Sequence, residues 1–83
     1  MLLVDAVFIN NGGGLVLLRY LVEYFEAEFN DVFYLFDDRT KLYFENIPDT
    51  RKKFISNSIV ERHNFYIMNK STFKSVFCFG NLP

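Results

Sequence analysis

The chain has 83 residues, enough for one small domain that buries about 60% of the surface exposed by its unfolded form. Hydrophobic residues make up 51% of the chain and aromatic residues 19%, a composition that excludes an intrinsically disordered segment. The net charge of −1 provides no basic surface for DNA, RNA or anionic lipid, so no nucleic-acid partner is expected.

The expected location is the cytoplasm. A single cysteine, Cys78, allows neither an internal disulfide framework nor a cysteine-based zinc site, which favours a reducing compartment. The segment Met1–Asp5 lacks the basic start of a signal peptide. The apolar run Leu15–Val22 contains Arg19 and is shorter than the ~20 residues that cross a bilayer, so no transmembrane segment is predicted.

The first half of the chain predicts a parallel β-α-β unit. Residues 2–9 form a nearly continuous apolar run typical of a strand buried on both faces. Apolar residues then recur at helical spacing over 14–29, and residues 31–36 predict a second buried strand. Strand, tight turn, helix and strand in this order imply a right-handed crossover between parallel strands.

The second half is expected to add a helix and a third buried strand. Alternation in Thr40–Phe44 predicts a short edge strand, and Asp49–Lys53 reads as a charged connection. Residues 58–69 predict a helix that opens with a capping box, Ser58 followed three residues later by Glu61. Residues 75–79 predict the third buried strand.

These elements predict an α/β fold, a Rossmann-like parallel sheet of three to four strands with flanking helices. Residues 1–83 are expected to be a single partial domain, because the sequence stops at Pro83 directly after a predicted strand. If the strand at 75–79 lies beside the first strand, opposite the second, the chain reverses direction across the sheet and creates a ligand-binding crevice.

The turn Asn10-Asn11-Gly12-Gly13-Gly14 is the main candidate site. Glycines allow a sharp turn and a close approach to a ligand, and the following helix start offers unpaired N–H groups to a phosphate or hydroxyl. No Gly-Lys-Ser/Thr follows, which argues against a triphosphate-hydrolysing loop. Leu17 replaces the third glycine of a dinucleotide fingerprint, although Asp37 or Asp38 could still meet a ribose.

Two stretches carry a resemblance to a known family. The segments Val7–Arg19 and Ser75–Pro83 resemble the first strand and turn, and a later strand and loop, of a retaining bacterial glycosyltransferase with two Rossmann-like domains, similar to family 4. The resemblance implies the N-terminal half of that enzyme's N-terminal domain. It also implies sugar transfer from a nucleotide-sugar donor to a sugar or glycan acceptor in a cleft between two domains. The residues of the chain predict no cofactor.

In that family the donor is held mainly by the C-terminal domain. The carboxylate and basic residues expected there have no counterpart here, so the 83-residue chain alone is expected to be inactive. The acceptor-side residues implied by the resemblance are Asn10, Asn11, Gly12, Gly13, Gly14, Gly80 and Asn81. Alternative functions are a nucleotide or NAD-like dinucleotide module and a non-catalytic assembly domain.

Other polar residues are expected to have structural roles. His63, the only histidine, is predicted to lie at the surface, and Cys78 to be a small buried residue. The carboxylates Glu23, Glu26 and Glu28 are expected on a solvated helix face, and no metal site is predicted.

The chain on its own is expected to form a homo-oligomer, because an open sheet leaves unpaired edges and apolar surface. Edge strands, exposed helix or sheet faces, or a swap through the connection between Arg39 and Ser58 could join the copies.

Overall fold

A parallel sheet forms the centre of the protein in the computed structural model, which describes residues 1–56 and 58–78. Within these residues the sheet has four strands, β1 (Leu2–Ala6), β2 (Val32–Asp37), β3 (Lys52–Ile55) and β4 (Ser75–Cys78). Two α-helices flank it, α1 (Gly12–Glu28) and α2 (Ile59–Met68). The predicted α/β fold with a Rossmann-like parallel sheet is confirmed.

The spatial order of the strands is β3-β2-β1-β4, and every neighbouring pair is parallel. The chain moves outward from β1 through β2 to β3, and then crosses back to place β4 on the free side of β1. In the pairing register Asp5 of β1 lies between Leu35 of β2 and Cys78 of β4. The reversal therefore falls between β1 and β4, the condition stated above for a ligand-binding crevice.

The two helices cover opposite faces of the sheet because the side chains of a strand alternate in direction. Val4 and Ala6 pack on the α1 side with the inner residues of that helix. Leu3 and Val7 pack on the α2 side with Phe65. A stack of aromatic rings extends the α1-side core, with Phe36 lying 4.1 Å from Phe44 between ring centroids.

The expected edge strand at Thr40–Phe44 is wrong, since a 3₁₀ helix spans Asp38–Tyr43. The Asp37 carboxylate accepts the Arg39 N–H at 3.0 Å, and the Thr40 hydroxyl donates to the Asp37 carbonyl at 2.7 Å. These local bonds turn the chain at the end of β2. The alternating spacing of Leu42 and Phe44 does not reflect a strand, because Leu42 is exposed while Phe44 packs in the aromatic stack.

The charged connection predicted at Asp49–Lys53 is also wrong in part. A 3₁₀ turn, Asp49–Arg51, leads into the strand β3 that begins at Lys52. The Lys52 ammonium group donates to the Phe44 carbonyl at 2.9 Å and lies over the Phe54 ring. The aliphatic part of the Lys52 side chain thus covers apolar surface while its ammonium group binds a carbonyl oxygen. Lysine is therefore compatible with this outer strand.

Strand β4 is present as predicted, but the prediction that it is buried is wrong. All four of its described residues are exposed, because its neighbour in the sheet is β1 alone. Cys78 is therefore exposed, contrary to the expectation of a buried small residue. In the part of the chain that the structure describes, neither helix has the length and apolar character needed to span a membrane.

Candidate functional site

The glycine turn lies between β1 and α1. β1 ends at Ala6 and is shorter than the strand predicted for residues 2–9, because the chain turns at Val7–Ile9, where the Ile9 N–H donates to the Ala6 carbonyl at 3.2 Å. Asn11 is the N-cap of α1 and has an extended backbone. Gly12 follows with φ of +66°, a left-handed conformation that glycine adopts without the steric cost of a Cβ atom. The predicted turn from strand to helix is therefore present, and Gly12 is the residue whose backbone requires glycine.

The start of α1 is not capped by its own side chains. Asn11 makes no side-chain hydrogen bond to the helix, and the first turn contains no acidic residue. The first helical bond runs from the Leu15 N–H to the Asn11 carbonyl at 3.3 Å. The N–H groups that precede Leu15 lie at the positive end of the helix dipole, where an anion or a hydroxyl oxygen is favoured.

Packing does not explain the next two glycines. A Cβ atom on Gly13 would meet nothing within 4 Å, and one on Gly14 would make an ordinary contact with Ile9 at 3.5 Å. Glycine in a helix costs up to about 1 kcal/mol relative to alanine. The backbone at Gly13 is therefore open to approach from outside.

Beside the turn, a buried carboxylate anchors α2 to the sheet. Asp5 in β1 accepts hydrogen bonds from Arg62 Nε at 2.7 Å, from the Tyr66 hydroxyl at 2.5 Å and from the Val7 N–H at 3.3 Å. Arg62 and Tyr66 are four residues apart and so share one face of α2. Asp5 is almost fully buried, and these partners offset the cost of holding its charge away from water.

The same cluster reaches the reversal point of the sheet. The Arg62 guanidinium lies over the rings of Phe8 and Tyr66, and its Nη2 is 3.8 Å from Cys78 Sγ. Burial acts to lower the pKa of Arg62, but the hydrogen bond and charge of Asp5 outweigh it and raise the pKa. Burial, together with the bond to Asp5, raises the pKa of the Tyr66 hydroxyl. The cluster thus carries a fixed cation next to the end of β4.

Asp37 and Asp38, the acidic candidates for a ribose contact, differ in whether the carboxylate is free to bind a ligand. Asp37 is fully buried, and its two carboxylate oxygens accept from Arg39 Nε at 2.9 Å and from Arg39 Nη2 at 2.7 Å. Burial acts to raise the pKa of Asp37, but the hydrogen bonds from Arg39 outweigh it and lower the pKa. Asp38 is exposed. The Asp37 carboxylate is therefore committed within the chain.

Leu17 is not the obstacle to a dinucleotide that its sequence position indicated. It lies on the outward side of α1, half exposed, while Leu18 packs against the sheet. The main structural argument against a dinucleotide site is thus the commitment of Asp37 rather than Leu17.

The remaining candidate residues are either exposed at the surface or engaged in contacts within the fold. His63 is exposed as predicted, and so are Glu23 and Glu28. Glu26 departs from the expected solvated face, because it is partly buried and pairs with Arg51 at 2.7 Å. Gly80 and Asn81 lie outside the described residues. Within those residues, His, Cys, Asp and Glu do not gather in a group of three that could hold a metal ion.

Sequence reasoning missed the cluster of Asp5, Arg62 and Tyr66. One signal was available, since an aspartate inside an apolar strand needs a partner once it is buried. The identity of that partner depends on the crossing of α2 over β1, which separates Asp5 from Arg62 by 57 positions. Local pattern contains no information on such a pair.

No protein-family model matches the chain, and no curated protein or solved structure is similar enough to match it.

Proposed function

We propose that the chain is the acceptor-side part of a glycosyltransferase domain, in which the glycine turn receives the sugar or glycan to which a nucleotide-sugar donates. The observation that carries this proposal is the strand order. β4 lies beside β1 on the side opposite β2, so the turn after β1 stands at the crevice where open α/β sheets bind ligands.

The open helix start supports binding of a polar ligand at this crevice. The N–H groups of Gly12, Gly13 and Gly14 precede the first helical hydrogen bond, and Asn11 leaves them uncapped. A sugar hydroxyl or a phosphate oxygen can accept from such groups. The side-chain amide of Asn11, which is exposed, adds a donor and an acceptor at the same end of the helix.

The test is an amide-resolved NMR titration of the chain with simple sugars, with UDP and GDP, with UDP- and GDP-sugars and with NAD. We expect the amide resonances of Asn11 to Gly14 to shift saturably, with millimolar dissociation constants, when sugars or nucleotide-sugars are added. Sugar-induced shifts support an acceptor site, whereas shifts with UDP or GDP alone indicate a phosphate site. Saturable binding of NAD with shifts around Asp37, and no response to sugars, would contradict the proposal.

Gly13→Ala separates the functional explanation of the turn from a structural one. The added methyl group meets open space, so the variant should be as stable as the parent or up to about 1 kcal/mol more stable. If a ligand approaches the backbone here, binding should weaken about tenfold or more. Leu42→Ala, at an exposed site in the 3₁₀ helix, is the control and should bind normally. Unchanged binding by Gly13→Ala would remove the turn from the site.

A further inference from the structure

Helix α1 is apolar on two opposite sides. Its inner residues Leu15, Leu18, Val22 and Phe25 are buried against the sheet. Its opposite side carries a second apolar row, the outer stripe, in which exposure is 69% for Val16, 50% for Leu17, 72% for Tyr20 and 55% for Tyr24. A helix with an apolar stripe facing the core is expected to be polar on the other side, so the outer stripe marks a surface that becomes covered.

The outer stripe is continuous and bordered by charge. A groove beside it is lined by Tyr20, Leu21, Glu23 and Tyr24, and a second groove reaches Val16 and Leu17. Arg19 and Glu23 lie four residues apart on one flank of the stripe. Large apolar side chains with a polar rim are typical of protein–protein interfaces, in which tyrosine is enriched.

We propose that a second copy of this chain covers the outer stripe, with the two α1 helices packed antiparallel about a two-fold axis near Tyr20. The stripe is self-complementary about this point, because Val16 lies four residues before Tyr20 and Tyr24 four residues after it. An antiparallel pair therefore places Val16 and Leu17 against the partner's Tyr24, and Tyr20 next to its own copy. An interface of this kind is isologous.

Charge complementarity supports the same arrangement. In an antiparallel pair related by a two-fold axis, equivalent flanks of the two helices lie on the same side of the interface. With the axis near Tyr20, Arg19 lies within one helical turn of the partner's Glu23 along the interface, a gap that these long side chains can span, and the symmetry repeats the pair. In a parallel pair the two-fold axis runs along the helices and places equivalent flanks on opposite sides of the interface, so Arg19 would not meet the partner's Glu23.

A membrane surface fits the stripe less well. Helices that lie on membranes carry lysine and arginine along the polar flanks of their apolar face. On α1 the charged positions outside the stripe are one arginine, Arg19, and three glutamates, Glu23, Glu26 and Glu28. Anionic lipid would be repelled by this excess of negative charge.

Light scattering across a dilution series tests the association. The parent chain should change from dimer to monomer on dilution. Tyr20→Glu should raise the dissociation constant about thirtyfold or more, since it places a carboxylate at the centre of an apolar interface. Met68→Glu adds the same charge at an 83% exposed site on α2 and should not change the dissociation constant. Both positions are exposed, so circular dichroism should show the parent fold.

A charge swap tests the antiparallel register. Arg19→Glu and Glu23→Arg should each weaken the dimer several-fold, to about tenfold, since each sets like charges opposite one another twice. The double variant should restore the parent affinity. In a Cys78→Ser background, Tyr20→Cys should form an intermolecular disulfide under mild oxidation, whereas Leu42→Cys should not.

Three results would overturn the proposal. A monomer at every concentration would show that a second copy does not cover the stripe. A dimer that survives Tyr20→Glu would place the interface elsewhere, for example along a sheet edge. A monomer whose outer stripe binds phosphatidylcholine vesicles would assign this face to a membrane.

Discussion

At the scale of single residues, the Asp5 carboxylate is the clearest example of a buried charge that depends on distant partners. It lies 3% exposed within β1, and its cationic partner is Arg62. Removing the cation leaves a charge that cannot easily reach water, whereas removing the carboxylate leaves Arg62 partly exposed. The two single substitutions should therefore differ in their effect on stability.

We predict that Arg62→Met lowers the free energy of unfolding by about 3 kcal/mol and Asp5→Asn by about 1–2 kcal/mol. The double variant should lose at least about 1 kcal/mol less than the sum, because the pair is already broken in either single variant. Urea denaturation at one protein concentration measures all three values. Lys53→Met, at an exposed site on β3, is the control and should change stability by less than about 0.5 kcal/mol. Additive losses would contradict a direct interaction between Asp5 and Arg62.

At the scale of secondary-structure elements, one carboxylate on α1 ties that helix to β2 and to the 3₁₀ turn before β3. Glu26 accepts from Arg51 Nη1 at 2.8 Å and Nη2 at 2.7 Å, and from the hydroxyl of the buried Tyr34 at 2.7 Å. Arg51 Nη1 also donates to the Val32 carbonyl at 3.2 Å. The hydrogen bonds from Arg51, aided by Tyr34, outweigh burial and hold the pKa of Glu26 below its ordinary 4.5.

A lowered pKa in the folded state means that this network stabilises the fold when Glu26 is charged. The contribution is present above about pH 4.5 and is lost as the pH falls through the lower folded-state pKa. Glu26→Gln should cost about 1–2 kcal/mol at pH 7, and the difference from the parent should shrink below pH 4.5. Urea denaturation between pH 7 and about pH 3 checks this trend. Glu28→Gln, at an exposed site on the same helix, is the matched control and should change stability at pH 7 by less than about 0.5 kcal/mol.

The elements that the sequence predicted are those with a strong local pattern. Helix α1 has its inner apolar row at helical spacing, and α2 has its cap, in which the Glu61 N–H donates to Ser58 Oγ at 3.4 Å. The other half of the cap differs from the expected box, because the Glu61 carboxylate reaches Ser56. Strand β3 was missed because its four residues include two lysines and show no strand pattern. The contacts that make Lys52 compatible with the strand, to the Phe44 carbonyl and the Phe54 ring, are visible only in the structure.

At the scale of the whole molecule, the order of the strands could be stated from sequence only as a condition, namely that β4 lies beside β1 on the side opposite β2. Apolar runs indicate strands, but strand neighbours depend on the path of the connections and on which face each helix covers. The exposure of β4 could not be predicted for the same reason, since its apolar residues resemble those of a central strand. In the candidate site, the glycine turn could be predicted because it is a local feature of the sequence. The Asp5–Arg62 pair could not be predicted, because it depends on the path of the chain.

The sheet order predicts a pattern of amide hydrogen exchange across the molecule. Among residues 1–56 and 58–78, β1 and β2 have a neighbouring strand on each side and should exchange most slowly, whereas β4 pairs with β1 alone and its residues are exposed. Its amides should exchange at least about tenfold faster than those of β1.

Exchange at higher protein concentration separates two modes of association. A dimer formed through the outer stripe covers α1 and does not cover β4, so the amides of β4 should keep their exchange rates. A dimer formed by strand pairing would add a strand beside β4 and slow the exchange of its amides. Mass spectrometry of peptides covering β4, at concentrations on either side of the dissociation midpoint, measures the difference. Slowed exchange in β4, with no effect of Tyr20→Glu, would assign the association to the sheet edge, because an added strand protects the edge groups whatever the charge on α1.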